Sequence, residues 1–166
     1  MAQKGANRLT VRMEGDFVVF LIGMRINHIW KVWKWWPASA AMSRMIKELS
    51  AQPGLGLLQA YTRAGFRNLM VVQYWRSVEH LQAYAANPDN EHLPAWRDFN
   101  RHIAASGAVG VWHETYLVPE KAFEALYINM GPIGLGKAGT VEPATGRKAT
   151  AKGRLGQADG TDAPDA

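Results

Sequence analysis

Residues 16–27, DFVVFLIGMRIN, decide the fold. The run FVVFLIGM within them is the longest unbroken apolar stretch of the chain and holds eight residues, too few to cross a membrane. It is apolar on both faces, as a strand covered on both sides must be. Period two puts Phe17, Val19, Leu21, Gly23, Arg25 and Asn27 on one side, and Val18, Phe20, Ile22, Met24 and Ile26 on the other. Arg25 is the polar exception near the strand end. It suits either a ligand carboxylate or phosphate, or a structural acid.

Working outward, residues 28–36, HIWKVWKWW, carry four of the seven tryptophans. Lysines interleaved with tryptophans fit two readings. One is a membrane-surface segment. The other is a tryptophan-rich lid packed on the domain with its lysines reaching outward. Pro37 suits a first helical turn, and Met42, Met45, Ile46 and Leu49 repeat at helical spacing, which predicts an amphipathic helix over 38–51. Two strands follow, LGLLQAYTR and RNLMVVQYW, joined through a Gly-containing link as an antiparallel hairpin. Ser77 caps a short helix, and Glu79 lies in its first turn. After NPDN come a helix from Glu91, a strand AVGVWHETYLV and a further strand FEALYINM. The order β-α-β-β-α-β, with the second helical region split and one strand added, is the ferredoxin-like split-βαβ pattern of an α+β protein. A four-stranded sheet with helices on one face leaves the other to be covered. Pairing with a second copy covers it and makes a dimeric α+β barrel.

Composition narrows the function. The chain has 166 residues, a net charge of +5 and no cysteine, which excludes disulfides and thiolate chemistry. Residues 1–50 hold eight Lys/Arg against three Asp/Glu, yet no helix-turn-helix, zinc-finger or RNP pattern accompanies them, so no specific nucleic-acid partner is expected. A signal-peptide pattern and a membrane span are both absent, and the expectation is a soluble cytoplasmic protein. Residues 1–14 read as a flexible N-terminus, 15–136 as the folded domain, and 137–166 as a disordered tail poor in large apolar residues.

The candidate chemistry sits in EHLPAWRDFNRHI, residues 91–103. Helical phase puts His92 amid Phe99, Ile103 and Trp96, at the centre of the apolar stripe, with Asn100 beside it and His102 at the rim. The plain reading of His92 is a neutral core imidazole satisfied by one or two hydrogen bonds. The functional readings are a general base, a metal ligand or the axial ligand of a haem. His113 shares a strand face with Val111 and Thr115, while Trp112, Glu114 and Tyr116 take the other. Sequence does not choose which face is inside. His92, Asn100 and His113 are the candidate catalytic residues, with Trp96, Phe99, Arg25, Tyr74 and Trp75 as candidate substrate contacts. No HExxH or other metal spacing occurs, and GPIGLGKAG lacks the strand–helix context and the Ser/Thr of a phosphate loop.

The segments FLIGMRIN, VQYWRSVEHLQAYAANPDNEHLPAWRDFNR, GVWHETYLV and YINMGPIGLG together resemble the fumagillin-pathway monooxygenase-like family. That family is a branch of the dimeric α+β-barrel superfamily that also holds antibiotic-biosynthesis monooxygenases. The resemblance covers about residues 15–136. It implies the dimeric barrel and oxidation of a small apolar or aromatic molecule, without metal or flavin as in the quinol-type branch. Other branches bind haem through a helix histidine. Their haem-degrading members line the pocket with Asn, Trp and His, the residue types of Asn100, Trp96 and His92. The expectation is therefore a homodimeric monooxygenase needing no cofactor. The alternatives are a haem enzyme with His92 (or His102) as axial ligand, or a non-catalytic module binding haem or an apolar ligand.

Overall fold

The computed structural model describes residues 7–157. The chain forms two compact units. The larger spans residues 18–117, and the smaller joins the chain's two ends, residues up to 17 and from 118. The elements in order are β1 (Arg8–Arg12), β2 (Phe17–Ile26), α1 (Val32–Ala51), β3 (Leu57–Ala64), β4 (Asn68–Trp75), α2 (Val78–Ala86), α3 (His92–His102), β5 (Val109–Val118), β6 (Tyr127–Ile128), α4 (Leu135–Ala138), β7 (Thr140–Pro143) and α5 (Ala151–Arg154).

The larger unit is the expected ferredoxin-like α+β fold. Its sheet runs β3-β4-β2-β5, so the doubly apolar strand is central. Antiparallel register pairs Val18 with Trp75, Phe20 with Gln73, Ile22 with Val71 and Met24 with Leu69. These residues face the helices. Val18 and Trp75 pack with Leu49 of α1 and Tyr84 of α2, while Met24 and Ile26 pack with Trp35, Phe99 and Ile103. Leu49 and Trp75 are fully buried, each contributing on the order of 2–3 kcal/mol by removal from water. The indole N–H of Trp75 donates to buried Gln73 at 2.8 Å, which satisfies both groups.

One irregularity shapes the sheet. Leu57 pairs with Trp75, but Gln59 pairs with Tyr74, so Leu58 is an extra residue in a β-bulge. Beyond it, Ala60, Thr62 and Ala64 share the helix side with Gln73, Val71 and Leu69. Gln59, Tyr61 and Arg63 take the opposite face.

Both β-hairpin strands and α2 fall where expected, and the Ser77 hydroxyl accepts from the His80 N–H. α1 differs. It starts at Val32 rather than 38 and contains Pro37, so the tryptophan stretch is helical. Pro37 is the sixth helical residue, and only the N–H bond to the Trp33 carbonyl is forfeited there. The packed lid is also corrected. Trp30, Trp33 and Trp36 are exposed, and only Trp35 turns inward, its indole N–H donating to the Ile29 carbonyl at 2.9 Å. Lys34 is tied down instead, donating to the His102 carbonyl at 2.7 Å.

The smaller unit corrects the expectations for the termini. β1 lies in the stretch read as flexible, yet it is the middle strand of a sheet ordered β6-β1-β7. Part of the stretch read as a disordered tail, residues 137–157, supplies β7 and α5. β6 spans two residues instead of the longer strand expected from FEALYINM. Val11, Tyr127 and Ala144 form a small buried set, and the Tyr127 hydroxyl donates to the Ile133 carbonyl and accepts from the Gly136 N–H. Arg154, almost wholly enclosed, meets Glu124 at 2.7 Å and two backbone carbonyls. The segments 1–6 and 158–166 of the two terminal expectations lie outside the described residues. No helix of the described residues is long and apolar enough to cross a membrane.

Candidate active site

A cavity of about 320 Å³ lies in the larger unit between the sheet and helices α1 and α3. That is within the usual range for small-molecule sites. Small residues make the space. Ala38, Ser39, Ala41 and Ser43 of α1 and Ala95 of α3 stand where larger side chains would fill it, and the backbone of Gly23 borders it from β2. Met42, Met45 and Ile46 wall one side, Ile22, Met24, Leu69 and Val71 form the floor, and Thr62 and Val111 complete the edge. His92, Trp96 and Phe99 enter from α3. No Asp, Glu, Lys or Arg lines it, so the imidazole is the one titratable group in an apolar enclosure.

The geometry of His92 is defined by its neighbour helix. Its Nδ1 lies 3.0 Å from the Ala85 carbonyl oxygen of α2. A carbonyl oxygen only accepts, so Nδ1 carries the hydrogen and donates. In the neutral ring Nε2 then keeps its lone pair, the tautomer a general base needs. The ring also packs near Tyr84, with centroids 6.2 Å apart.

A partly buried polar network links these helices. The Tyr84 hydroxyl donates to Glu48 Oε2 at 2.6 Å, and the Glu91 N–H donates to the same oxygen at 3.1 Å. Glu91 in turn receives Arg44 at 3.1 Å. One carboxylate of α1 therefore ties α2 to the start of α3, immediately before His92. Burial first, then the Glu48 carboxylate, pushes the Tyr84 hydroxyl far above its ordinary pKa and keeps it a donor.

The expected site residues divide. His92, Trp96 and Phe99 come together at the cavity, with the Trp96 and Phe99 rings stacked at 5.6 Å and 12°. Asn100 is exposed on α3 and does not line it. His113 is on the helix side of β5, as its pairing with Phe20 at 5.6 Å requires, but it is exposed and outside the cavity. Val111 on the same face does line it, and this settles which face of β5 is turned to the helices. Trp112 lies on the opposite face, over Gly23. Arg25 is exposed. Tyr74 takes the face away from the helices. Trp75 is sealed in the core beneath α1 and α2. His102 is exposed and 3.5 Å from Asp98. Sequence reading passed over Ser39, Thr62 and the network of Tyr84 and Glu48. The run of small residues from Ala38 to Ala41 was the available signal for space beneath α1.

A haem would bring two carboxylates into the site. The cavity lining offers no Lys or Arg to receive them, so the residues present do not fit that group. Among the described residues no cluster of three or more His, Asp or Glu side chains is placed to hold a metal ion.

Comparison with known proteins bears on the whole region. The chain is 29% identical over 134 residues to Monooxygenase af470 of Aspergillus fumigatus, a match covering 75% of this chain and 46% of that protein. The chain thus spans about half the length of that relative. SnoaB of Streptomyces nogalater, described as a cofactor-independent oxygenase, superposes with a TM-score of 0.44 at 12% identity, over 61% of this chain and 91% of that one. A dimeric protein of ferredoxin-like fold from Bacteroides fragilis gives 0.41 at 12% identity, over 61% and 95%. The Monooxygenase af470-like family model matches residues 17–135, which take in the whole four-stranded sheet, all three long helices and every wall of the cavity, and the chain belongs to that family.

Proposed function

We propose that the protein is a small monooxygenase that oxidises an aromatic or otherwise apolar molecule held between the sheet and α1/α3, with His92 as its base and without a resident cofactor. The observation that carries this is the pinned imidazole. An apolar cavity with one titratable group, whose Nδ1–H is engaged by a carbonyl, presents Nε2 as a proton acceptor.

The chemistry follows from what such a base can do. Nε2 removes a proton from an acidic C–H of a substrate such as an aryl ketone in its CH₂ form. The resulting anion is electron-rich enough to pass one electron to O₂. Recombination of the two radicals forms a C–O bond and a peroxide. Loss of the second hydrogen from that carbon as a proton, with cleavage of O–O, leaves C=O, and the departing hydroxide takes the proton held by His92. The balance is CH₂ plus O₂ to C=O plus water, and the substrate carbon supplies all four electrons that reduce O₂. Ser39 and Thr62 provide hydroxyl groups at the cavity wall for the developing negative charge. Trp96 and Phe99 supply the flat apolar surface on which a ring system rests.

The same reading makes the protein a homodimer, with the sheet face opposite the helices packed on a second copy. The exposed Trp112 and Tyr116 on that face support it.

The test is oxygen uptake with anthrone, whose CH₂ between two aryl groups oxidises to a quinone, alongside the absorbance spectrum of the purified protein. The expected result is catalysed uptake with one quinone formed per O₂, no absorbance above the aromatic band, and loss of turnover in His92→Ala. Turnover unaffected by that substitution would remove His92 from the mechanism, and a Soret or flavin band would replace the cofactor-free reading.

A further inference from the structure

The tryptophan-bearing end of α1 is left unused by the cavity. Trp30, Trp33 and Trp36 are 69%, 68% and 62% exposed, and Ile29 and Val32 beside them are also open. Such an aromatic cluster on a surface is costly in water and calls for an occupant.

Charge says which occupant. From Phe17 to Lys47 the chain contains no Asp or Glu, but it contains Arg25, Lys31, Lys34, Arg44 and Lys47. Trp33 and Trp36 lie on the outward stripe of α1, and helical phase continues that stripe to Lys47 and to Arg44, the latter paired with Glu91. Lys34 donates to the carbonyl of His102 at the end of α3, which brings the basic last turn of that helix, with Arg101, beside the cluster. Indole rings suit the boundary between headgroups and acyl chains, with lysine and arginine reaching the phosphates around them.

We propose that this end of α1 docks the protein onto the surface of an anionic phospholipid bilayer, with Trp30, Trp33 and Trp36 inserted at the headgroup level. Ala38 and Ser39, immediately beyond Pro37, line the cavity, so the docked face is one turn from the cavity wall. An apolar substrate dissolved in the bilayer then reaches the site without crossing water. That route rests on the monooxygenase reading. The docking does not, and it is measured without substrate.

The test is co-sedimentation of the full chain with phosphatidylcholine vesicles containing phosphatidylserine, against phosphatidylcholine alone. The expected result is binding to the anionic vesicles that weakens as salt is raised, with at least about tenfold loss of partitioning when Trp30, Trp33 and Trp36 are all replaced by Ala. Brominated lipid should quench the wild-type tryptophan fluorescence, a readout that does not depend on any variant folding. Absent binding to anionic vesicles, binding without quenching, or undiminished binding by a folded triple variant each overturns the proposal. So does sedimentation showing that the triple substitution converts a dimer to a monomer, because the cluster would then be a contact between copies.

Discussion

His92 and Ala85 are joined across two helices by a 3.0 Å hydrogen bond that fixes which imidazole nitrogen carries the proton. Two substitutions separate the bond from the base. His92→Asn keeps an N–H donor near the Ala85 carbonyl and removes the base, whereas His92→Ala removes both. Each should lower kcat by about 10²–10⁴-fold. Only His92→Ala should also lower stability, by about 1 kcal/mol, since it alone leaves the carbonyl without its donor. Oxygen uptake and thermal melts of the two variants check this.

Trp96 and Phe99 stack as one aromatic surface at the cavity. Trp96→Ala should raise KM by about tenfold through lost aromatic contact, with a smaller effect on kcat. Trp96 is partly exposed, so the melting temperature should barely change. A kcat loss as large as that of His92→Asn would mean that the ring does more than hold substrate.

Gly23 is buried on β2, and a Cβ there would fall inside the Trp112 indole on β5. Gly23→Ala should therefore destabilise by about 1–3 kcal/mol through overpacking. Adding Trp112→Ala should recover most of that loss, a coupling readable from a double-mutant cycle in urea. Independent effects would show that the indole is free to leave Gly23.

Tyr84→Phe removes the donor to Glu48 and should cost about 1–2 kcal/mol near neutral pH. Burial and the Glu48 carboxylate raise the hydroxyl's pKa in the folded state above the ordinary tyrosine value of about 10. Its contribution is thus fully present below that value and is lost as pH rises beyond it, because the unfolded chain ionises first. Wild-type stability should fall above pH 10, and Tyr84→Phe should flatten that fall. Urea midpoints measured from pH 8 to 11 check the slope.

The central strand, the hairpin and the Ser77 cap were legible because each depends on local pattern: an apolar run, a glycine turn, a hydroxyl before a helix. Position on α3 was legible for His92, Trp96 and Phe99 for the same reason. Asn100 illustrates the limit, since helical phase placed it near the stripe, but the cavity extends toward α1 rather than toward Asn100. Trp75 read as a pocket wall because periodicity cannot tell a floor beneath a cavity from one sealed by Leu49 and Tyr84. The ordered parts of both termini were hidden because β1 gains its partners from residues more than a hundred positions away. α1 began early because the tryptophans tolerate a helix, and Pro37 forfeits only one bond.

The extra residue in β3 bears on how this strand tolerates changes in length. Deleting Leu58 would merge Leu57 and Gln59 into an ordinary ladder and leave every later pairing as it is. Deleting Ala60 instead would slip the rest of the strand by one, turning Tyr61 and Arg63 to the side that Ala60 and Thr62 now occupy. A guanidinium would then stand where a hydroxyl now borders the cavity. Shortening at the bulge thus leaves the cavity edge as it is, while shortening two positions later sets a cation against it.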